Sequence, residues 1–585
     1  MKTIAKIFLS MLMFVNLSTA QTNFSFTNQD FPQLLKGNFD PDTFPKRSIL
    51  ADQLLASYLI QSLNADSLKF YLSQLVAFKN RNTISDDQSR ESWGIRGARN
   101  YIKSNLNRWS QKNATTGPVL IQSDFEFDFK MCERLRHTEL MALIPGVGLQ
   151  KDELVILEAH LDSRCENNCD TTCIAEGADD NGSGSALLME LARVLAQVEL
   201  NRSVLLIWIT GEEQGLGGST SFATYCKQNA VKIKAVFNND IVGGIECGIT
   251  SSPPGCPGPF MYDSLRFRVF SAGITNSMPK ALARLSRILV ENKLTPIIPN
   301  VTKIDVMFGE DRSGRGSDHI PFREQGYTAI RFTSSYEHGD GNPSQAGYSD
   351  RQHSTRDVLG KDVDGDGVID SFYVNFNYLR NNAIVNALCA ANAASSALDQ
   401  FLLTVKSEVR ALTIKIENPQ RAQKFLFGLR RINSSFFDTI VASNLPEVTI
   451  SGLNPTQYYV SACGVDSLEW YSMFSQEYIA RVLNATDDHL NVMPVELIQN
   501  KPNPFDELSL IPIIVNDPSF VKTAKLVFTS ETGIVYKTIP LNLTEGINEI
   551  LYDYQWNQYA CGTYFYTLFI NGKPFATKKM NLLNY

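Results

Sequence analysis

The stretch Glu153-Leu-Val-Ile-Leu-Glu-Ala-His-Leu-Asp162 decides the fold, because it is a short apolar run that ends in a histidine and an aspartate. Runs of this kind are typical of strands that are buried on both faces of a sheet. Residues 203–210 and 235–239 are similar runs, and residues 184–196 carry apolar side chains at helical spacing. This alternation predicts an α/β, doubly wound, mostly parallel sheet with helices on both faces.

Side chains that can bind metal follow these predicted strands at the point where each strand ends. His160 ends the first run, Glu212 and Glu213 follow the second, and Asp240 follows the third. The motif Gly177-Ala-Asp-Asp-Asn-Gly-Ser-Gly184 adds Asp180. In doubly wound sheets, ligands bind outside the carboxyl ends of the strands. Histidine and carboxylates without thiolates suit a hydrolytic zinc site that leaves a position open for water. The sequence therefore predicts a metallohydrolase.

Together these motifs resemble the co-catalytic di-zinc aminopeptidases, whose superfamily also contains glutamate carboxypeptidase and the transferrin-receptor ectodomain. The resemblance covers roughly residues 70–394. It is carried by His160-Leu-Asp162, residues 177–184, Gly211-Glu-Glu213, Asp240 and His353.

The resemblance implies a role for each matching residue. Glu212 would be the general base, because the adjacent Glu213 would be held by metal. Asp162 would hydrogen-bond the second ring nitrogen of His160, and the Asp180–Asn181 peptide bond would be cis. The expected ligands of two Zn²⁺ ions are Asp180 bridging both, His353 and Glu213 on one ion, and His160 and Asp240 on the other.

Three histidines compete for the last ligand position, namely His319, His338 and His353. His353 is preferred because His353-Ser-Thr-Arg-Asp357 resembles the closing histidine and aspartate of the family. Gln352 stands where the family often has a tyrosine, so an oxyanion role for that tyrosine does not carry over. Ser317-Asp318-His319 resembles a segment near the substrate pocket, and for His319 a structural role and a substrate contact are alternatives.

Length, charge and the amino terminus narrow the class of protein. A chain of 585 residues is expected to form about two to four domains. The formal charge of -7 and the lack of a basic cluster argue against nucleic acid as a partner. Residues 1–20 have the charged, apolar and small-residue regions of a signal peptide. No later stretch is long and apolar enough for a transmembrane segment, so we expect a secreted or cell-surface protein.

Cysteines are frequent between the first two metal motifs, where Cys165, Cys169 and Cys173 lie in an apparent insertion. Cys247 and Cys256 flank a loop rich in proline and glycine. A thiolate metal site at the first three cysteines and disulfides that pin loops beside the site are alternatives. Disulfides are favoured because exported proteins permit them, although the pairing does not follow from sequence.

Residues 362–370 resemble the first half of a calcium loop. Carboxylates stand at alternate positions in Asp362, Asp364 and Asp366, a turn-forming Gly367 follows them, and Asp370 comes three residues later. Position twelve of such a loop is Tyr373 here rather than the usual glutamate. A non-standard Ca²⁺ site and a solvated acidic turn are both consistent with this pattern, and in either case the loop would stabilise the protein rather than catalyse.

The chain beyond about residue 396 changes to short β-rich runs, which predict two small all-β sandwich domains. Residues 458–470 resemble the end of a fibronectin type III domain. Residues 497–505, 563–569 and 578–580 resemble the C-terminal sorting domain of the type IX secretion pathway, whose machinery would then be a partner. A sandwich that binds substrate or glycan is the alternative. The expected boundaries are 21–395 for the peptidase domain, 405–484 for the first sandwich and 495–585 for the sorting domain.

These patterns predict a secreted zinc metallopeptidase that removes N-terminal residues from peptides or proteins through a water shared by two zinc ions. Three alternatives share the fold. A glutaminyl-cyclase-like transferase would use a single zinc ion. A carboxypeptidase would need a basic pocket, for which Arg312 and Arg315 are candidates. A binding protein without catalysis is disfavoured because all the ligands and Glu212 are present.

Overall fold

A computed structural model gives the fold of the protein. It describes residues 23–51, 54–86, 92–113, 118–247, 261–273, 276–312, 315–336, 351–484, 493–505, 508–553 and 560–583. The predicted signal peptide at 1–20, Cys256 and His338 lie outside the described residues. Among the described residues, none of the helices combines the length and the apolarity that crossing a membrane requires.

A nine-stranded sheet organises the first part of the chain. Its strands are β1 (Ser25–Phe26), β2 (Ile121–Met131), β3 (Arg134–Ile144), β4 (Glu153–His160), β5 (Ser203–Ile209), β6 (Lys232–Asn239), β7 (Arg266–Ser271), β8 (Lys303–Val306) and β9 (Ala329–Ser334). They lie side by side in the order β1-β2-β3-β5-β4-β6-β9-β7-β8.

This sheet is mixed, which corrects the prediction that it is mostly parallel. β5, β4, β6 and β9 form a parallel centre. β2, β3 and β5 are antiparallel to one another in turn, and β7 is antiparallel to β9. β2 and β3 are joined only by Cys132 and Glu133, and so short a connection permits only an antiparallel pair, whereas parallel strands need a long crossover.

Helices cover both faces of the sheet, as predicted. They are α1 (Leu55–Ser62), α2 (Ala65–Val76), α3 (Gly94–Asn113), α4 (Gly184–Leu195), α5 (Gly217–Gln228), α6 (Met278–Leu289), α7 (His319–Glu324) and α8 (Phe376–Ser395). Successive residues of β4 feed two separate cores. Val155 and Leu157 pack with α4 and α8, whereas Leu154 and Ile156 pack with α5. The two-sided burial explains why β4 is apolar almost throughout.

Two further units are built mainly from β-strands. The first has a three-stranded sheet and a four-stranded sheet formed by β10 (Leu403–Glu408), β11 (Ala411–Ile416), β12 (Lys424–Arg431), β13 (Thr439–Ser443), β14 (Glu447–Ser451), β15 (Gln457–Val465) and β16 (Tyr478–Arg481). One apolar cluster contains Ile414 from the first sheet and Val460 from the second, so the two sheets pack face to face.

The second β unit repeats this arrangement with β17 (Val495–Leu497), β18 (Leu508–Val515), β19 (Ala524–Ser530), β20 (Val535–Leu541), β21 (Gly546–Asp553), β22 (Gly562–Ile570) and β23 (Lys573–Leu582). Ile513 and Leu568, from its two sheets, share a core. The identity of these units as fibronectin-like and sorting domains, and the expected boundaries, remain predictions.

The three units share apolar contacts. Trp470 and Phe474 of the first β unit belong to the same buried cluster as α6 and α8 of the unit that contains the nine-stranded sheet. Ile432 and Tyr459 of that unit pack with Ile514 of the last unit. Apolar contacts therefore join each unit to the next.

Candidate metal centre

Six side chains that could hold metal ions form two groups at the carboxyl ends of β4, β5 and β6. The first group contains His160, Glu212 and Asp240, and the second contains Asp180, Glu213 and His353. Within each group the candidate ligand atoms lie within 4.8 Å of one another. The structure thus brings together all five predicted ligands and the predicted base.

Asp180 lies between the two groups and directs one carboxylate oxygen towards each. Its Oδ1 is 3.2 Å from Nε2 of His160, and its Oδ2 is 3.2 Å from Nε2 of His353. The Asp180–Asn181 peptide bond is cis, as the resemblance implies. A carboxylate that bridges two metal ions needs this two-sided placement.

The first group is supported by a buried arginine that the sequence analysis did not single out. Oδ1 of Asp240 is 3.4 Å from Nε2 of His160, and Oδ2 of Asp240 is 3.1 Å from a guanidinium nitrogen of Arg331. The same guanidinium lies 2.6 Å from Oδ2 of Asp311. The sequence feature that could have identified Arg331 is its charge inside the apolar run Ala329-Ile-Arg-Phe332. A buried charge normally needs a charged partner.

In the second group, His353 is the member that is not fully buried. Nε2 of His353 is 3.3 Å from Oε2 of Glu213, and the His353 side chain keeps 16% of its exposure whereas that of Glu213 keeps 2%. His353 has a φ of 55°, in the left-handed region that few side chains adopt. Such conformations occur where the surrounding structure fixes a functional residue.

Asp162 departs from the predicted role. Its Oδ1 is 3.8 Å from Nδ1 of His160, whereas its backbone carbonyl oxygen is 3.0 Å from that nitrogen. The carboxylate instead accepts hydrogen bonds from the backbone amides of Gly211 at 2.9 Å and Glu213 at 3.1 Å. These amides lie in the turn after β5, where no strand partner accepts from them. The side chain of Asp162 therefore orients the turn that carries Glu212 and Glu213 rather than the imidazole.

Two buried residues hold the backbone around Asp180. The carboxylate of Asp357 accepts hydrogen bonds from the amides of Asp179 at 3.1 Å and Asp180 at 2.9 Å. The guanidinium of Arg81 donates to the carbonyl oxygen of Gly177 at 2.9 Å. Burial and the neighbouring carboxylates of Asp179 and Asp180 raise the pKa of Asp357 to about 8.

The electrostatics of the two groups fit a cationic occupant. Burial raises the pKa of Glu213 well above its usual range, and repulsion from Asp180 and Glu212 adds to this effect. Burial acts to lower the pKa of His160, but the carboxylates of Asp180 and Asp240 outweigh it and raise that pKa. Divalent cations reverse such shifts in carboxylates. Three carboxylates and two imidazoles without a thiolate, with Glu212 left as the base, are a donor set that fits zinc.

The other candidates from the sequence lie outside both groups. His319 is fully buried, and its Nε2 is 3.1 Å from the carbonyl oxygen of Glu310. Burial lowers the pKa of His319, so the structural alternative is favoured. Arg312 is buried beside Asp311, which makes it a poor receptor for a substrate carboxylate.

The acidic loop brings Asp362, Asp364 and Asp366 together as exposed side chains. Asp370 is not in this group, and its Oδ2 accepts a hydrogen bond from the amide of Val363 at 2.7 Å. Three of the four predicted carboxylates therefore lie together.

The insertion after Asp162 is held by two disulfides, Cys165–Cys173 and Cys132–Cys169. This result confirms the disulfide interpretation and corrects the alternative of a thiolate metal site. Cys247 is also disulfide-bonded. Cys132, which lies in the β2–β3 turn, was not predicted as a disulfide partner because cysteine spacing does not determine pairing.

Residues 141–367 match the family described as peptidase family M28. A protein named "Probable zinc metalloprotease" from Leptosphaeria maculans is 29% identical over 291 residues, which are 48% of this chain and 66% of that protein. A protein with the same description from Pyrenophora tritici-repentis is 30% identical over 299 residues, covering 49% of this chain and 60% of that protein. The chain thus spans less than two thirds of the length of these curated relatives. Residues 141–367 are thus similar to peptidase family M28, and both relatives are named as probable zinc metalloproteases.

Two solved structures show a partial likeness of fold. The Legionella pneumophila LapA aminopeptidase has 19% identity and a TM-score of 0.41, and the match covers 61% of this chain and 77% of that chain. Porphyromonas gingivalis glutaminyl cyclase has 17% identity and a TM-score of 0.38, with coverage of 56% and 98%. Because both TM-scores lie below 0.5, neither structure bears on the activity of this chain.

Proposed function

We propose that this chain is a di-zinc aminopeptidase that hydrolyses N-terminal residues from peptides. The observation that carries the proposal is the position of Asp180, whose two carboxylate oxygens are each 3.2 Å from a histidine of a different group. A single-ion site would need only one of these groups.

The chain supplies a base beside the two candidate ion positions. Two zinc ions, when bound, supply Lewis acidity towards a water molecule and a peptide carbonyl group. Glu212 is the base because it is only partly buried, whereas Glu213 is buried against His353. The carboxylate of Glu212 can take a proton from water and deliver it to the departing amine.

The proposal of an amino terminus as the recognised end of the substrate rests on the resemblance to the aminopeptidases. Arg312, one of the two arginines that could receive a substrate carboxylate, is buried. This burial counts against carboxypeptidase activity.

A substrate panel combined with zinc analysis tests the proposal. We expect release of the first residue from aminoacyl amides by a protein that holds about two zinc ions per chain. Cyclisation of N-terminal glutaminyl peptides by a protein with one zinc ion would instead identify a glutaminyl-cyclase-like transferase. Release of C-terminal residues from N-blocked peptides would identify a carboxypeptidase.

Export and calcium binding complete the proposal, and both rest on sequence features. Residues 1–20 support a secretory leader, and residues 495–585 support export by the type IX pathway to the medium or cell surface. A host strain that produces the chain without residues 495–585 should retain it in the cell envelope.

For the acidic loop, Ca²⁺ should raise the melting temperature of the wild type but not of Asp364→Asn. Release of the shortened chain, or equal shifts in both proteins, would contradict these parts.

A further inference from the structure

The insertion at residues 163–176, which we call the clamp loop, separates Asp162 from the motif that carries Asp180. Cys165–Cys173 closes the loop on itself, and Cys132–Cys169 ties it to the turn between β2 and β3. The proposed chemistry uses none of its side chains. The clamp loop nevertheless contacts the segments that carry Glu213 and His353, two members of the second metal group.

The clamp loop holds the segment that carries Glu213. Gln214, the next residue, donates from Nε2 to the side-chain oxygen of Asn168 at 2.9 Å and to its backbone oxygen at 3.2 Å. Asn82 also donates to that backbone oxygen, at 2.9 Å. Asn168 precedes Cys169, so the Cys132–Cys169 disulfide fixes the acceptor to which Gln214 binds.

The clamp loop also contacts the segment that carries His353. Oε2 of Glu166 accepts a hydrogen bond from the backbone amide of Thr355 at 3.4 Å. Thr355 lies two residues after His353, whose left-handed backbone needs support from its surroundings. Glu166 is the neighbour of Cys165, the other anchored end of the loop.

The first metal group is supported by different elements. His160 is the last residue of β4, and Asp240 directly follows β6, so hydrogen bonding within the sheet fixes both positions. Arg331, which holds Asp240, lies on β9. His160 and Asp240 thus depend on the sheet, whereas the segments that carry Glu213 and His353 receive additional contacts from the disulfide-bonded clamp loop.

We propose that the clamp loop positions the ligands of only one zinc ion, the ion at Glu213 and His353. Gln214 and Glu166 are its positioning residues. This inference rests on the proposed two-zinc function. Residues that orient metal ligands typically change metal affinity about 10- to 100-fold when they are replaced. Loss of the clamp contacts should therefore yield a protein that keeps the ion at His160 and Asp240 but binds the other weakly.

Zinc titration against a competing chelator tests the inference with Gln214→Leu and with the double variant Cys132→Ser/Cys169→Ser. We expect one of two binding steps to weaken about 10- to 100-fold in both variants. Gln228→Leu, an exposed change at the end of α5, is the matched control and should leave both steps unchanged. Equal weakening of both steps, or of neither, would overturn the proposal.

Hydrogen exchange of the zinc-free protein separates a failure of this inference from a failure of the two-zinc function. In the double cysteine variant, backbone amides of residues 211–216 and 353–357 should exchange faster, while those of β5 should not change. If the wild type binds a single ion, the two-zinc function fails, and the exchange result still decides whether the loop positions these segments. Unchanged exchange in both segments would contradict the positioning role.

Discussion

The guanidinium of Arg331 lies 3.1 Å from Oδ2 of Asp240 and 2.6 Å from Oδ2 of Asp311, and both carboxylates are buried. This arrangement leaves Oδ1 of Asp240 facing His160. One strand residue thus fixes the direction in which a candidate ligand points.

Replacing Arg331 by Met should leave two buried carboxylates without their cation. Removing one partner of a buried ion pair typically costs about 3–5 kcal/mol, so the free energy of unfolding should fall by about that amount and zinc binding at the first group should weaken. Arg323→Met is the control, because its ion pair with Glu310 is partly exposed and should contribute less than about 1 kcal/mol. Chemical denaturation measures the free energy of unfolding of both variants. Equal losses of this free energy in Arg331→Met and Arg323→Met would contradict the account.

Changing Glu212 or the adjacent Glu213 to glutamine should affect turnover and zinc content differently. Glu212→Gln should keep about two zinc ions and lose about 10²- to 10⁴-fold in turnover, because it removes only the proton acceptor. Glu213→Gln should lose zinc as well as activity. Turnover and metal content of the two purified variants provide the comparison. A Glu212→Gln protein with an emptied site or near-normal turnover would refute the assignment.

His353→Ala should lower the zinc content by about one ion per chain, because it removes a direct ligand. His319→Ala and His338→Ala should retain both ions. For His319 the expectation follows from its contact with the carbonyl oxygen of Glu310, away from both groups. Metal analysis after dialysis distinguishes the three variants, and full occupancy in His353→Ala would exclude it as a ligand.

Glu549 should make the stability of the protein depend on pH. Its Oε1 accepts a hydrogen bond from the hydroxyl of Tyr459 at 3.0 Å, and burial raises its pKa to about 7. Because the folded-state pKa lies above the unfolded value of about 4.3, the contribution of Glu549 is fully present below that value and is lost as the pH rises through about 7. The stability of the wild type should therefore fall relative to Glu549→Gln between pH 5 and 8. Melting temperatures of the wild type and Glu549→Gln that change with pH by the same amount over that range would contradict the prediction.

Local sequence was sufficient to predict the elements of the site but not their contacts. The apolar run of β4 and the polar residues at its end predicted both a buried strand and the position of His160. The contact of Arg331 with Asp240 depends on the pairing of β9 with β6, and these strands are separated by about 90 residues of chain. No local pattern indicates that pairing.

Two errors in the sequence analysis have specific causes. The mostly parallel sheet was inferred from the central strands, whereas the antiparallel edge depends on the two-residue connection of β2 and β3. The role of Asp162 follows from the resemblance and its position two residues after His160, but the backbone carbonyl of Asp162 rather than its carboxylate contacts the imidazole. Spacing along a chain does not distinguish these two oxygen donors.

The central claim is that Asp180 bridges two zinc ions, and anomalous diffraction at the zinc absorption edge tests it most directly. Crystals of the zinc-loaded protein should show two peaks, one beside His160 and Asp240 and the other beside Glu213 and His353, with an oxygen of Asp180 directed at each. A single peak at full zinc saturation, or two peaks without Asp180 between them, would contradict the account.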